Sequence, residues 1–131
     1  MKDILYENFQ SMVAELLSRH KSILDIMTKL QDSNARVNRS IVKSITQCGC
    51  LKVNAEKQVS YIDADFEKLR DLMNTHLEGE LCENCRDYIK KDIGRNLFYL
   101  ASICNTLDLN LYDIIIKELD RVKMLGKYNL R

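Results

Sequence analysis

The 131-residue sequence contains no proline and only four glycines. Proline is the strongest helix breaker, because its ring removes a backbone hydrogen bond and clashes with the preceding turn, and glycine is the next strongest. A chain of this length is also long enough to enclose one hydrophobic core. We therefore predict an all-α fold that forms a single domain over residues 1–131.

Apolar residues recur at helical spacing along most of the chain, which predicts an antiparallel bundle of four or five helices joined by short connections. Ser22 and Asn110 are of the residue types that cap helix N-termini, and Gly49 is expected to end or kink a helix. The predicted segments are Ile4–Leu17, Ser22–Gly49, a short helix from Asp63 that Gly79 closes, Glu80–Leu107, and a last helix from Asn110 to about Gly126.

Several polar residues fall on predicted inward positions of the second and fourth helices. The full set of predicted inward positions in the second helix, apolar and polar together, is Ile23, Met27, Leu30, Asn34, Val37, Ile41, Ser44 and Cys48. Buried polar groups are costly unless they form hydrogen bonds, so several on two helices suggest a shared polar layer. This layer either fixes the register of the helices or lines a ligand pocket between them. The predicted members are Asn34, Asn38, Asp92 and Asn96.

Four of the five cysteines form two tight pairs, Cys48-Gly-Cys50 and Cys82-Glu-Asn-Cys85. Together the pairs can offer four thiolates to one tetrahedral ion, and four sulfurs suit zinc or an iron–sulfur centre. The first pair falls at the end of the second predicted helix and the second pair near the start of the fourth. A zinc ion there would hold the connection against the bundle, with His76 as a substitute for one sulfur.

Other interpretations of the cysteines stay open. A redox dithiol at Cys82 and Cys85 is one, and buried or idle thiols are another. A cysteine protease is disfavoured, because the chain has only two histidines and no local signature of that chemistry. Cys104 lies among apolar residues and is expected to be a buried small hydrophobe.

The charge of the chain is nearly balanced, with 20 basic and 19 acidic residues and a net charge of +1. This balance gives no field that would attract nucleic acid or an anionic membrane, so neither partner is expected. No apolar run is long enough to span a membrane, and the first residues lack a signal-peptide stretch. We expect a cytoplasmic protein, in which paired cysteines more commonly bind metal or act in redox chemistry than form structural disulfides.

Residues 92–123 resemble the C-terminal half of MazG-like proteins, which are all-α nucleoside triphosphate pyrophosphohydrolases. That family carries an acidic Glu-x-x-Asp, then an apolar Leu-Phe/Trp-Tyr-Leu run, a short break, Leu-Asp/Glu and a basic last helix. A weaker similarity extends to the second helix, where the family places Glu-Glu-x-x-Glu. The resemblance implies a MazG-like bundle, a nucleotide ligand and a homodimer. The apolar first helix would contribute to the dimer through Leu5, Phe9, Met12 and Leu16.

The chain departs from this family where the family holds Mg²⁺. At the Glu-x-x-Asp position it has Asp92-Ile-Gly-Arg95, and at the Glu-Glu-x-x-Glu position it has Asn34-Ala-Arg-Val-Asn38. Magnesium needs hard, negatively charged oxygen ligands, and one carboxylate beside a cation is a poor site. We therefore expect no Mg²⁺ and a degenerate pyrophosphohydrolase-like domain. Its candidate ligand-pocket residues are Asn34, Asn38, Asp92, Arg95 and Asn96.

Basic residues near this position offer a way to bind phosphate without a metal, since arginine clusters bind phosphate directly. The candidates are Lys29, Arg36, Arg39, Lys43 and Arg95. The alternative is a solvated basic edge of an amphipathic helix. Two other functions remain open: an active pyrophosphohydrolase with a rearranged acidic site at Glu83, Asp87 and Asp92, and a redox or iron–sulfur switch at the four cysteines.

Overall fold

The computed structural model describes residues 2–17, 21–58 and 73–127, and this part of the chain is mostly helical. The predicted helix from Asp63 lies almost wholly outside the described residues. A two-stranded sheet and a single π-helical turn separate the second and third helices of the described part. The elements are α1 (Lys2–Leu16), α2 (Ile23–Lys43), a π-helical turn (Ser44–Cys48), β1 (Leu51–Val53), β2 (Leu77–Gly79), α3 (Glu83–Thr106) and α4 (Leu111–Lys127).

The mostly helical structure is compatible with the predicted bundle, and a small sheet, which was not predicted, is added to it. Strands β1 and β2 pair in antiparallel register, with Leu51 opposite Gly79 and Val53 opposite Leu77. Gly79 therefore ends a strand, although the sequence pattern placed it at the end of a helix. Strands of three residues are too short to show an alternation of apolar and polar side chains, which is the pattern that identifies a strand in a sequence.

Helices α2 and α3 pack antiparallel to each other and form the centre of the described structure. Ser33 of α2 contacts Asn96 of α3, while Cys48, just after α2, lies beside Cys82 at the start of α3. The predicted N-cap of α2 is confirmed, because the Ser22 hydroxyl accepts a hydrogen bond from the Leu24 amide at 3.3 Å. The antiparallel packing thus places the segment that follows α2 beside the start of α3.

The inward positions of α2 differ from those predicted. Ile26 and Ser33 are buried although neither was a predicted inward position, whereas Met27 is 54% exposed and Asn34 is exposed. Ser44, which lies in the π-helical turn after α2, is buried as predicted. The apolar series missed Ser33 because serine is polar and the series passed through the neighbouring Asn34. Each buried serine is satisfied by its own helix: the hydroxyl of Ser33 donates to the Leu30 carbonyl at 2.7 Å, and that of Ser44 to the Ile41 carbonyl at 2.6 Å.

Small side chains also occupy the buried positions of α3, which are Ala101, Ser102 and Cys104. The burial of Cys104 confirms its assignment as a small core residue, and burial raises the pKa of its thiol. Small residues on both helices allow close approach of the two backbones, at the cost of a modest apolar core.

Helix α1 is joined to the junction between α3 and α4 through Gln10. The Gln10 amide group donates to the side-chain oxygen of Asn105 at 3.0 Å and to the Leu109 carbonyl at 2.8 Å. Its side-chain oxygen accepts from the Leu111 amide at 2.8 Å. Asn110 caps α4 as predicted, accepting from the amide of the third helical residue at 3.1 Å. Across the described ranges, no helix combines the length and apolar character needed to cross a bilayer.

Candidate metal centre

Three neighbouring elements bring the two cysteine pairs together. The π-helical turn ends at Cys48, Gly49 adopts a left-handed conformation with φ of 79°, and Cys50 directly precedes β1. On the other side, β2 ends at Gly79 and Cys82 is the N-cap of α3. Because β1 pairs with β2, the first cysteine pair is held beside the start of α3.

The four Sγ atoms of Cys48, Cys50, Cys82 and Cys85 all lie within 4.8 Å of one another. The sulfurs of Cys48 and Cys82 are 3.7 Å apart. Four sulfurs bound at about 2.3 Å to a tetrahedral zinc ion are about 3.8 Å from one another. The observed cluster therefore has nearly the size of a four-thiolate metal site, and the predicted set of ligands does converge.

The backbone around the cluster favours thiolate at Cys82. Its Sγ accepts a hydrogen bond from the Cys85 amide at 3.4 Å at the N-terminus of α3. That backbone hydrogen bond is the main reason why the pKa of Cys82 falls to about 7. Interaction with the Cys82 side chain raises the pKa of Cys85 to about 12. In the metal-free protein Cys82 is therefore the thiol of this pair that ionises first.

The remaining two cysteines differ in their surroundings. The Cys50 thiol donates to the Ser44 carbonyl at 3.7 Å, which ties the strand side of the cluster to the π-helical turn. Cys48 is exposed, whereas Cys50, Cys82 and Cys85 are half-buried. The site therefore lies at the surface, with one edge open to solvent.

Gly79 fits closely against the cluster. Its φ is 83°, and a side-chain Cβ at this position would overlap the carbonyl oxygen of Cys50. Gly49 has a similar φ of 79°, but a Cβ there would meet nothing within 4 Å. The left-handed conformation favours glycine at both positions. Only at Gly79 does the lack of space also exclude a side chain.

His76 does not belong to the cluster, which corrects its assignment as a possible substitute ligand. It precedes β2 with φ of 62°, and its carbonyl accepts a hydrogen bond from the Asn54 amide at 2.8 Å, which extends the strand pairing. Its Nε2 atom is buried and has no hydrogen-bond partner among the residues that the structure describes.

The predicted polar layer is divided between two places. Asn96 donates from its side-chain amide to the hydroxyl of Ser33 at 3.0 Å and to the side-chain oxygen of Asn34. Asn34, Asn38 and Asn96 line one shallow pocket, whereas Asp92 and Arg95 line a different cleft. Asn34 and Asn38 are exposed, so the inward placement of these two residues was wrong.

A cleft of about 580 Å³ lies between α2 and α3, directly beside the cysteine cluster. Cys48 and Cys85 belong both to the cluster and to the cleft wall, and the ring of Tyr88 also lines the cleft. Lys29, one of the predicted phosphate-binding residues, does not line it. The charged residues that do are Arg36, Arg39, Lys43, Lys91, Asp92 and Arg95.

Two lining residues, Tyr88 and Lys91, were missed from the sequence. They lie seven and four positions before Arg95, and Asp92 lies three before it, so all four share one face of α3. This helical spacing was present in the sequence. It would have identified Tyr88 and Lys91 if the helix face that carries Cys85 and Arg95 had been examined as a whole.

The acidic residues proposed for a rearranged active site are distributed differently. Glu83 and Asp87 are exposed and Asp92 is half-buried. Over residues 2–17, 21–58 and 73–127, the four cysteines are the one group of three or more potential ligands close enough to share a metal ion. Comparison with known proteins adds nothing to this picture: no family model, curated protein or solved structure matches the chain.

Proposed function

We propose that this protein is a helical bundle stabilised by one zinc ion, bound by Cys48, Cys50, Cys82 and Cys85. The observation that carries the proposal is the convergence of four Sγ atoms within 4.8 Å, supplied by two sequence pairs far apart in the chain. Sulfur ligands in tetrahedral arrangement suit zinc, which forms such sites without redox chemistry.

The role proposed for the metal is structural. Four protein ligands fill a tetrahedral site and leave no position for water or substrate, which a catalytic zinc needs. The ligands come from the π-helical turn, from the residue before β1 and from the first turn of α3. One ion would therefore connect the end of α2, the small sheet and the start of α3, and its binding energy would contribute directly to folding.

We further propose that the bundle is a degenerate MazG-like domain that has lost pyrophosphohydrolase activity. Asn34 and Asn38 are exposed neutral amides. Asp92 stands in a cleft whose other charged residues are all cations. Neither arrangement favours a magnesium site, because Mg²⁺ prefers hard, negatively charged oxygen ligands, and the cations around Asp92 would repel it.

Metal analysis tests the structural proposal. Protein purified without a metal-affinity tag and kept reduced is expected to contain one zinc ion per chain, and Cys82→Ser to contain none. Cys104→Ala is the matched control, because it removes a cysteine that lies outside the cluster. Reduced wild-type protein without zinc, or equal loss of zinc in Cys104→Ala, would contradict the proposal.

An activity assay tests the second part of the proposal separately. The wild-type protein, with its metal content measured, is incubated with a panel of nucleoside triphosphates and Mg²⁺. We expect no release of pyrophosphate above a protein-free blank. Turnover that is lost in Asp92→Asn would instead support the active pyrophosphohydrolase with a rearranged acidic site.

One observation favours a redox switch as the second candidate function. The 3.7 Å separation of the Cys48 and Cys82 sulfurs is close enough that a small backbone movement would allow a disulfide. Its formation would release two electrons and two protons to an oxidant such as oxidised glutathione. A reversible mass loss of two hydrogens, or a coloured iron–sulfur centre in the purified protein, would support this function over a zinc site.

A further inference from the structure

We propose that the cleft between α2 and α3 binds the phosphate group of a small molecule. This site lies beside the metal centre, and binding of phosphate there is a function separate from the structural role proposed for the metal. Five cations line the cleft against the single carboxylate of Asp92, whereas the whole chain carries a net charge of only +1. The cleft is therefore a strongly cationic part of the described structure.

The cations come from both walls of the cleft. Arg36, Arg39 and Lys43 recur along one face of α2, and Lys91 and Arg95 are one turn apart on α3. A solvated basic edge would place such residues on one helix and away from its neighbour. Like charges on two packed helices repel each other, and a bound anion between them would relieve that repulsion.

Most of these cations have no competing ion-pair partner among the described residues. Arg36 forms an ion pair with Asp32 at 3.0 Å, but both side chains are more than half exposed, so the pair is weak and can rearrange. Arg39, Lys43, Lys91 and Arg95 form no ion pair with any residue that the structure describes. They are free to contact a ligand.

The metal centre itself is the obvious alternative partner for these charges. A zinc ion with four thiolates carries a formal charge of about −2, and Cys48 and Cys85 line the cleft. Five cations and the carboxylates of Asp92 and of Asp32, the partner of Arg36, give a formal charge of +3, so the metal centre does not neutralise it fully. The remaining positive charge favours a phosphate group, which carries about −1.5 to −2 at neutral pH.

The size and chemistry of the cleft favour a small ligand over a polymer. Its volume of about 580 Å³ is within the range of roughly 300–1,000 Å³ that is typical of small-molecule sites. Arginine guanidinium groups bind phosphate oxygens in a bidentate manner. Tyr88 is 68% exposed and lines the same cleft, so its ring is available to a planar group on the ligand.

The test measures binding of inorganic phosphate and of phenyl phosphate by isothermal titration calorimetry at low ionic strength. The protein is the full chain, with zinc content determined on the same sample. We expect saturable binding of one ligand per chain, and tighter binding of phenyl phosphate if the ligand is a monoester. Arg39→Gln and Arg95→Gln are each expected to weaken binding about tenfold, because each removes a charge-assisted hydrogen bond.

Lys29→Gln is the matched control, since it removes one positive charge from α2 at a position outside the cleft lining. We expect it to change the affinity less than twofold. No saturable binding to zinc-loaded protein, or an equal loss in Lys29→Gln, would overturn the proposal. Tight binding of a single-stranded oligonucleotide with weak binding of phenyl phosphate would also overturn it, in favour of a nucleic-acid surface.

The two proposals fail in different ways. Phosphate binding by a protein that contains no metal would refute the structural zinc site and leave the anion site standing. Loss of zinc from Arg95→Gln, with no phosphate binding by the wild type, would show that the cations serve only to balance the thiolates. That result would overturn the anion site while supporting the metal centre.

Discussion

The substitution Gly79→Ala tests whether the small sheet and the cysteine cluster form one unit. Gly79 stands opposite Leu51 in the sheet, and its α-carbon faces the carbonyl of Cys50, the residue whose thiol belongs to the cluster. An added methyl group would push Cys50 away from the other sulfurs or separate the two strands. Either movement should weaken metal binding.

The expected cost has two parts. A left-handed conformation is unfavourable for alanine by about 1–2 kcal/mol, and Gly79 adopts it with φ of 83°. Overlap with the Cys50 carbonyl adds a packing cost of about 1–3 kcal/mol, because a backbone atom cannot swing aside as a side chain can. The total is about 2–5 kcal/mol.

Gly49 provides the matched control. It also adopts the left-handed conformation and lies between two of the ligands, but nothing stands within 4 Å of an added Cβ. Gly49→Ala should therefore cost only the conformational part, about 1–2 kcal/mol. Gly49→Asn should recover most of that loss, since asparagine tolerates the left-handed region, whereas Gly79→Asn should not recover, because the overlap remains.

Competition for zinc with a chromophoric chelator measures the effect. If strain of this size acts on the metal-bound state, Gly79→Ala should lose zinc at a chelator concentration at least tenfold lower than wild type needs. Gly49→Asn should lie close to wild type. Equal zinc affinities for Gly79→Ala and Gly49→Ala, or recovery in Gly79→Asn, would show that the close approach to Cys50 does not matter for the site.

Three further predictions follow from the contacts of the described residues. In metal-free protein, iodoacetamide should alkylate Cys82 before Cys85, with a half-maximal rate near pH 7, because the pKa of Cys82 is lowered to about 7 and that of Cys85 is raised to about 12. Mass spectrometry of peptides gives the order of labelling, and earlier labelling of Cys85 would contradict this prediction. Asn96→Ala should lower the free energy of unfolding in urea by about 1–2 kcal/mol, since it removes the hydrogen bonds to Ser33 and Asn34, whereas exposed Asn38→Ala should change it by less than about 0.5 kcal/mol. The homodimer stays a prediction, supported by the exposed Leu5 and Leu16 of α1; light scattering should give twice the chain mass, and a monomer at millimolar concentration would refute it.

The sequence predicted the cysteine site better than it predicted the polar layer, and the reason is physical. Two cysteines separated by one or two residues can bind one ion whatever structure surrounds them, so the spacing alone constrains the chemistry. The caps at Ser22 and Asn110 were predictable for the same reason, because each depends on a local hydrogen bond.

The inward positions of α2 depend instead on long-range packing. The sequence pattern placed Asn34 inside because Asn34 continues an apolar series. In the structure Ser33 is buried instead, and the side-chain amide of Asn96 donates hydrogen bonds to both residues. A serine that satisfies its hydroxyl within its own helix is as acceptable inside as an alanine. A pattern that separates apolar from polar residues cannot recognise this case.

The small sheet was missed because neither strand carries a recognisable pattern, and its pairing joins residues that are 24 to 28 positions apart. Its presence explains how two cysteine pairs from distant segments meet. The basic cleft was partly predicted, since Arg36, Arg39, Lys43 and Arg95 do line it. Lys91 joins them because it lies one turn before Arg95 on α3, and Lys29 does not, because it lies about two turns before Arg36 on α2, away from the cysteine cluster.

The composition of the core gives a reason for a metal at this position. Among the described residues, the buried hydrophobic side chains are Val13, Ile26, Leu51, Ala101 and Cys104. Only Leu51 of this set lies in the sheet, and apart from Ile26 the buried residues of α2 and α3 have small side chains, which contribute little apolar area. A structural metal contributes its binding energy to folding, which matters most where few apolar side chains are buried. A four-thiolate zinc site at the end of α2 and the start of α3 would supply that stability where the core supplies least, and removal of the metal should therefore loosen the sheet before it separates the helices.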